Sequence, residues 1–178
     1  MRLLQIILLV IFISSCNSEE DLIAPKLDEY DLEVISYFKE IALGFEFGSS
    51  SKITRKWCSD LKVFIGGETN SLLLDELNKI MDEISSLTTD NFNMEIVSDS
   101  SLSNYYIFFG KGEDYAKLFP GSSSYVNNNW GLFSLWYDSS NCLYRGHMYV
   151  DTQRADFIQA KHLLREEFTQ SLGLARDS

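Results

Sequence analysis

No stretch of this 178-residue chain is apolar for long enough to cross a bilayer, which takes ~20 residues. Basic residues are scarce: 15 Lys and Arg stand against 26 Asp and Glu, for a formal net charge of -11. Phosphate contacts need clustered Lys and Arg, so this balance argues against nucleic-acid binding. Lys161, His162 and Arg165 are too few to make a basic patch. There are three cysteines and no Cys-x-x-Cys, which leaves a zinc knuckle or a dithiol redox motif without support. The glycine-rich phosphate loops G-x-x-x-x-G-K and G-x-G-x-x-G are missing, and so is the G-x-S-x-G elbow. The serine-rich stretches at 49–51 and 122–124 lie in loops with no partnered histidine, so nucleophilic serine catalysis has no basis. No internal repeat is present. What remains is 45% hydrophobic and 13% aromatic, a composition for one globular domain with a real core.

The front end is a targeting segment. Arg2 precedes an apolar run at 3–13, broken only by Gln5, which has the length of an export-signal core and not of a membrane span. Ile13-Ser14-Ser15-Cys16 then resembles the bacterial lipobox, in which the leader is cut before a cysteine that becomes acylated. The plainer alternative is an ordinary secretory signal with an incidental cysteine. Residues 1–15 are thus expected to be removed, which takes Arg2 away and moves the net charge from -11 to -12. Acyl chains on Cys16 would hold the domain to a membrane without a spanning helix. Residues 16–27 are polar, include Pro25 and a Glu19-Glu20-Asp21 cluster, and read as an acidic tether. The expected location is the bacterial cell envelope, lipid-anchored at the outer membrane and facing the periplasm or the surface. In such an oxidising compartment Cys58 and Cys142 allow a single pairing, and the sequence leaves open whether it forms.

From residue 28 the apolar periods alternate. Tyr30, Val34, Tyr37, Phe38 and Ile41 make a helical stripe over 28–43. A strand at 61–65 is stopped by Gly66-Gly67, and a helix at 71–87 follows with Asp75, Glu76, Asp82 and Glu83 on its wet side. Short strands are expected at 94–97 and 105–109, one or two helical turns at 113–119, and a strand at 130–137. The turn Asp138-Ser139-Ser140-Asn141 makes the strand at 142–150 antiparallel to its predecessor. A last helix starts near Ala155. The fold class is therefore α/β (α+β): a mixed sheet of about five strands, with helices packed on one face. Trp130, Trp136 and Tyr137 are expected in the core and not as a sugar platform. His147 shares its strand face with Arg145 and Tyr149 and reads as a surface histidine, or as a cleft residue if that face meets the last helix.

On the last helix, ~100° steps place Phe157, Leu164, Phe168 and Leu172 on one arc for docking, and His162, Glu166, Gln170 and Glu167 on the opposed arc. Gly173-Leu174 is a helix stop. Zinc peptidases use H-E-x-x-H because positions i and i+4 share a face, with the intervening Glu activating the metal-bound water. On that frame Glu166 takes the first histidine position, Glu167 the catalytic acid, Gln170 the second histidine, Gly173 the turn and Arg176 the third ligand. The helix thus resembles the metzincin group with all three ligands replaced, and arginine cannot bind a metal. No cofactor is expected, and conventional zinc hydrolysis is not. His162, one turn before Glu166, reads as an exposed residue paired with it, or as half of an alternative His162-Glu166 pair that Asp177 would join.

Glu166-Glu167-x-Thr169-Gln170-x-Leu172-Gly173-Leu174, followed by Asp177-Ser178, also resembles the signature of an uncharacterised bacterial family of secreted proteins and lipoproteins, a domain of unknown function. The segments Phe38-Lys39-Glu40-Ile41-Ala42-Leu43-Gly44 and Arg55-Lys56-Trp57 resemble its N-terminal elements. That resemblance spans residues 30–178 and implies a zincin-like fold over 28–178, with a backing helix, an active-site-type helix at the C-terminus and no established activity. Members usually continue past this motif, so the resemblance also implies either a fragment or a chain that lacks a C-terminal lobe. Three function classes follow. One is a binding module for a protein, peptide or cell-wall component; the second is an atypical hydrolase with Glu167, aided by Glu166, as general base or acid. The third is a purely structural lipoprotein in which Glu166, Thr169 and Gln170 satisfy backbone groups around the turn. His162, Gln170, His147 and Asp177 are the candidate binding residues, and Cys16 is the lipidation site.

Overall fold

The computed structural model describes residues 26–43, 52–68 and 70–174. The signal segment, Cys16, most of the tether, Arg176 and Asp177 lie outside those residues. The chain divides into two units, Met1–Glu33 and Val34–Ser178. In the first, Asp28 and Asp31 exchange side-chain bonds with each other's backbone N–H at 2.9 and 3.0 Å and so start helix α1, Glu29–Ala42, whose residues from Val34 on belong to the second. The expected stripe on this helix is present, but Tyr30, Val34, Tyr37 and Phe38 are exposed.

The second unit is built on one sheet. Strands β1 (Lys56–Trp57), β2 (Leu61–Gly67), β3 (Met94–Val97), β4 (Tyr105–Phe109) and β6 (Cys142–Val150) run parallel, and β5 (Gly131–Tyr137) runs antiparallel to β6. The order from one side is β3-β2-β4-β6-β5. β1 shares an edge of β6 with β4, pairing only with Cys142 and Leu143 while β4 takes residues 146–150. Among the described residues β5 pairs with β6 alone, which makes it an edge strand of the described sheet. The architecture is α/β, as expected from the sequence.

Helices cover both faces, where the sequence suggested one. On the first face α2 (Ser71–Ser85) and α4 (Phe157–Ser171) bury Leu73, Leu77, Ile80, Ala160, Leu164 and Phe168 against Leu61, Val63, Tyr105, Ile107, Phe109, Met148 and Val150. α2 opens on Asn70, whose side chain accepts from the Leu73 N–H. α4 opens on a capping box between Asp156 and Gln159, two residues after the expected start. Glu76, read as solvent-facing, is 8% exposed because Lys161 (2.7 Å) and Arg165 (3.1 Å) of α4 close over it. Those cations hold its carboxyl below the usual range against the opposing effect of burial. Arg165 also reaches Glu83 at 2.7 Å, so ion pairs tie the two helices together at their rim.

The second face is covered by the seven-residue helix α3 (Gly112–Leu118) and the loop after it. Tyr115 of α3 is fully buried and stacks on Tyr149 at 4.5 Å, with Phe108, Val126 and Leu132 around them. Gly112 permits this approach: a Cβ there would lie 3.0 Å from the Val126 side chain and 3.1 Å from the Tyr149 hydroxyl. Cys58 and Cys142 form a disulfide beside β1. Trp130, Trp136 and Tyr137 are not core residues, being 40%, 41% and 45% exposed. They flank or end an edge strand, where one side of each ring has no neighbouring strand. Phe157, assigned to the docking arc of α4, is also exposed, since the helix begins there and has not yet reached the sheet.

Candidate functional site

The outward arc of α4 carries the candidate residues as the helical spacing requires. His162 and Glu166 are exposed, and Glu167 and Gln170 are half-buried. His162 makes no ion pair with Glu166 among the described residues, contrary to expectation. Glu167 turns towards the head of β5. A Cβ placed on Gly131 would lie 2.8 Å from Glu167 Oε1 and 3.0 Å from its Cγ, so this side chain packs closely over the head of the edge strand. The charge is felt by Tyr105, Tyr115 and Tyr149, where after burial it is one of the influences that raise the phenol pKa values.

The end of α4 is seated with equal care. Ser171 Oγ donates to the Phe168 carbonyl at 2.7 Å, and the buried Trp57 indole N–H donates to the Ser171 carbonyl at 3.0 Å. Tyr105, fully buried, meets Trp57 edge-on at 5.8 Å and Phe168 at 6.0 Å. Gly173 then leaves the helix at φ +130 with the Arg55 carbonyl against it. The Arg55 guanidinium lies 3.9 Å over the Tyr137 ring at the other end of β5.

A family model described as a protein of unknown function, DUF2927, matches residues 31–178. The chain is a DUF2927 protein. The matched stretch takes in the sheet and the whole of α2, α3 and α4. No curated protein matches the chain. The DUF2927 domain therefore carries the candidate arc of Glu166, Glu167 and Gln170 as part of its own body, and its geometry has to speak for its chemistry.

That geometry separates His147 from the arc. His147 belongs to the face of β6 that α3 covers, whereas α4 packs on the face of Met148 and Val150. It is 5% exposed and not a surface residue. Phe119 stacks on it at 3.8 Å, Trp136 lies at 5.2 Å, and the Tyr115 hydroxyl is hydrogen-bonded to Nδ1. Alternation along β6 placed it opposite Met148, but could not reveal that a short helix roofs its side. Among the described residues no group of three or more His, Cys, Asp and Glu is placed to hold a metal ion. Asp177, expected to join a His162-Glu166 pair, lies outside the described residues.

Burial, and then the Arg145 charge, push the His147 pKa down to about 4. An unfolded histidine titrates near 6.5. Between those values the unfolded chain binds the additional proton, so this contribution to stability is complete above about pH 6.5 and is lost as pH falls towards 4. We expect a loss of roughly 2–3 kcal/mol across that window. Urea midpoints measured against pH check it, and His147→Gln should flatten that part of the profile.

The sequence also gave no sign of a polar hub beneath the second face. Asp151, 3% exposed, accepts from the backbone N–H of Gly112 (3.1 Å), Gln153 (3.1 Å) and Arg154 (2.9 Å) and from Arg154 Nε (2.8 Å). Burial would raise its pKa, but the Arg154 and backbone bonds outweigh that and hold it below the usual range. Arg154 goes on to the carbonyls of Asn127, Val126 and Asn129 and to the Tyr149 hydroxyl. An open cleft lined in part by Lys111, Glu113 and Gln153 lies beside this hub.

Proposed function

We propose that this chain is a lipid-anchored protein of the bacterial cell envelope, with a zincin-like domain that binds an extended protein or peptide segment along β5 without conventional zinc chemistry. The carrying observation is the Glu167 side chain packed against Gly131 at the head of β5, an edge strand whose outer side no other described strand takes. An exposed strand edge offers backbone N–H and C=O groups to a further strand, and a partly buried carboxylate beside it can fix the register by binding a cationic or N–H group. The order strand, long helix, three strands with an antiparallel edge, parallel strand, helix supports the zincin likeness. Cys16 supplies the anchor in this reading.

The expected results are substoichiometric zinc in the purified domain and retention of a subset of sequences on an array of unstructured peptides. Glu167→Gln should weaken that retention about tenfold or more, the size of a lost charge-assisted hydrogen bond. Tightly bound zinc at one per chain would sink the reading. The hydrolase alternative draws on the same half-buried Glu167: an array peptide cleaved by the native chain and intact with Glu167→Gln would favour it over simple binding.

A further inference from the structure

β1 contains two residues and makes two register pairs with β6, at Cys142 and Leu143. A ladder this short is not self-supporting. Immediately after it Cys58 is joined to Cys142, across a sequence separation of 84, and this bond pins the segment to β6. The same segment holds the end of α4 through two buried contacts, the Trp57 indole on the Ser171 carbonyl at 3.0 Å and the Arg55 carbonyl against Gly173. The last turn of α4 carries Gln170. Thus the disulfide adds a covalent hold to the burial of Trp57 in seating β1, and β1 seats the helix end that belongs to the candidate site. Cys58 is exposed and Cys142 half-buried, so the bond is open to attack from solvent. β6 itself has independent support, from β4 over residues 146–150 and from β5 over most of its length.

We infer that the Cys58–Cys142 disulfide is a redox latch, opened by a dithiol reductant, that releases β1 and with it the C-terminal turn of α4. The inference rests on the reading of α4 as the binding site for its functional meaning, though not for its mechanics. In the first step a thiolate of the reductant attacks Cys58 Sγ, forming a mixed disulfide, and Cys142 leaves as a thiolate that takes up a proton. The second thiol of the reductant then attacks the mixed disulfide and frees Cys58. Two electrons pass from the dithiol to the cystine, and the reductant ends as its own disulfide. With the bond open, the two-residue ladder no longer holds, and the Trp57 indole N–H loses its buried acceptor.

The test uses the full-length chain with dithiothreitol as reductant, together with the double variant Cys58→Ser/Cys142→Ser. The indole N–H resonances are assigned by Trp57→Phe, and hydrogen exchange is followed in the oxidised and reduced states. Reduction should accelerate exchange at the Trp57 indole by about tenfold or more while the amides of β4 keep their protection. The double variant should exchange like the reduced chain whether or not dithiothreitol is present. Unchanged protection at Trp57 after reduction would overturn the latch. So would a parallel loss at Trp57 and β4, which would make the bond a global staple. Array peptides retained by the oxidised chain should be released on reduction. If the oxidised chain retains none while Trp57 still opens locally, the binding proposal fails and the latch stands.

Discussion

Replacing Asp151 with alanine is expected to lower folding stability by about 2–4 kcal/mol, the cost of leaving a buried backbone N–H without its acceptor and of breaking a half-buried ion pair. Four N–H groups converge on this carboxylate, three from the backbone and one from Arg154. Removing it leaves the Gly112 N–H at the start of α3 without its acceptor and takes away the counter-charge of a guanidinium that also holds the carbonyls of residues 126, 127 and 129. Those bonds tie down both ends of the roof over Tyr149 and His147, beside the aromatic packing that fills it. Urea unfolding should show a lower midpoint, with near-ultraviolet dichroism from the Tyr115–Tyr149 stack fading before the far-ultraviolet signal. Asp151→Asn retains one acceptor oxygen and should fall between the two. Asp114→Ala, at an exposed pair with Lys117, should leave the midpoint where it is.

The importance of Asp151 could not be read from the chain, whereas much of the frame could. Strands at 94–97, 105–109 and 142–150 sit where alternation and turn residues put them, and the stripe of Leu73, Leu77 and Ile80 is the buried face of α2. Local patterns report local geometry. They fail where the deciding neighbour is remote. Gly66-Gly67 looked like a strand stop, yet β2 runs through both, because the Tyr106 hydroxyl lies over Gly66, where a Cβ would meet it at 1.9 Å. His147 looked exposed because the seven residues of α3 give too faint a signal to predict a roof. Trp136 and Tyr137 looked buried because hydrophobicity says nothing about which strand is the edge. For the site, the i, i+1, i+4 placement of Glu166, Glu167 and Gln170 was legible from helical spacing alone. The meeting of Glu167 with Gly131 was not, since it joins residues 36 apart through the order of the sheet.

Gly173→Ala is expected to cost about 4 kcal/mol, combining backbone strain of ~1–3 kcal/mol with a buried hydrogen bond worth ~1–3 kcal/mol once unsatisfied. Two separate restrictions act at this position. Its φ of +130 is a conformation that side-chain-bearing residues rarely adopt, and a Cβ would lie 2.3 Å from the Arg55 carbonyl oxygen. Backbone cannot move aside as a flexible side chain would, so the alanine must push the end of α4 away from β1. That displacement pulls the Ser171 carbonyl from the Trp57 indole, the same contact that the latch controls. The mutation should therefore imitate reduction locally: a lower urea midpoint, and an indole N–H of Trp57 that exchanges rapidly even with the disulfide closed. Gly121→Ala serves as the control, since no atom lies within 4 Å of its Cβ position and a change within about 0.5 kcal/mol is expected. If Gly173→Ala leaves Trp57 protected, the helix end can yield without β1, and the mechanical link from disulfide to α4 is broken at its last joint.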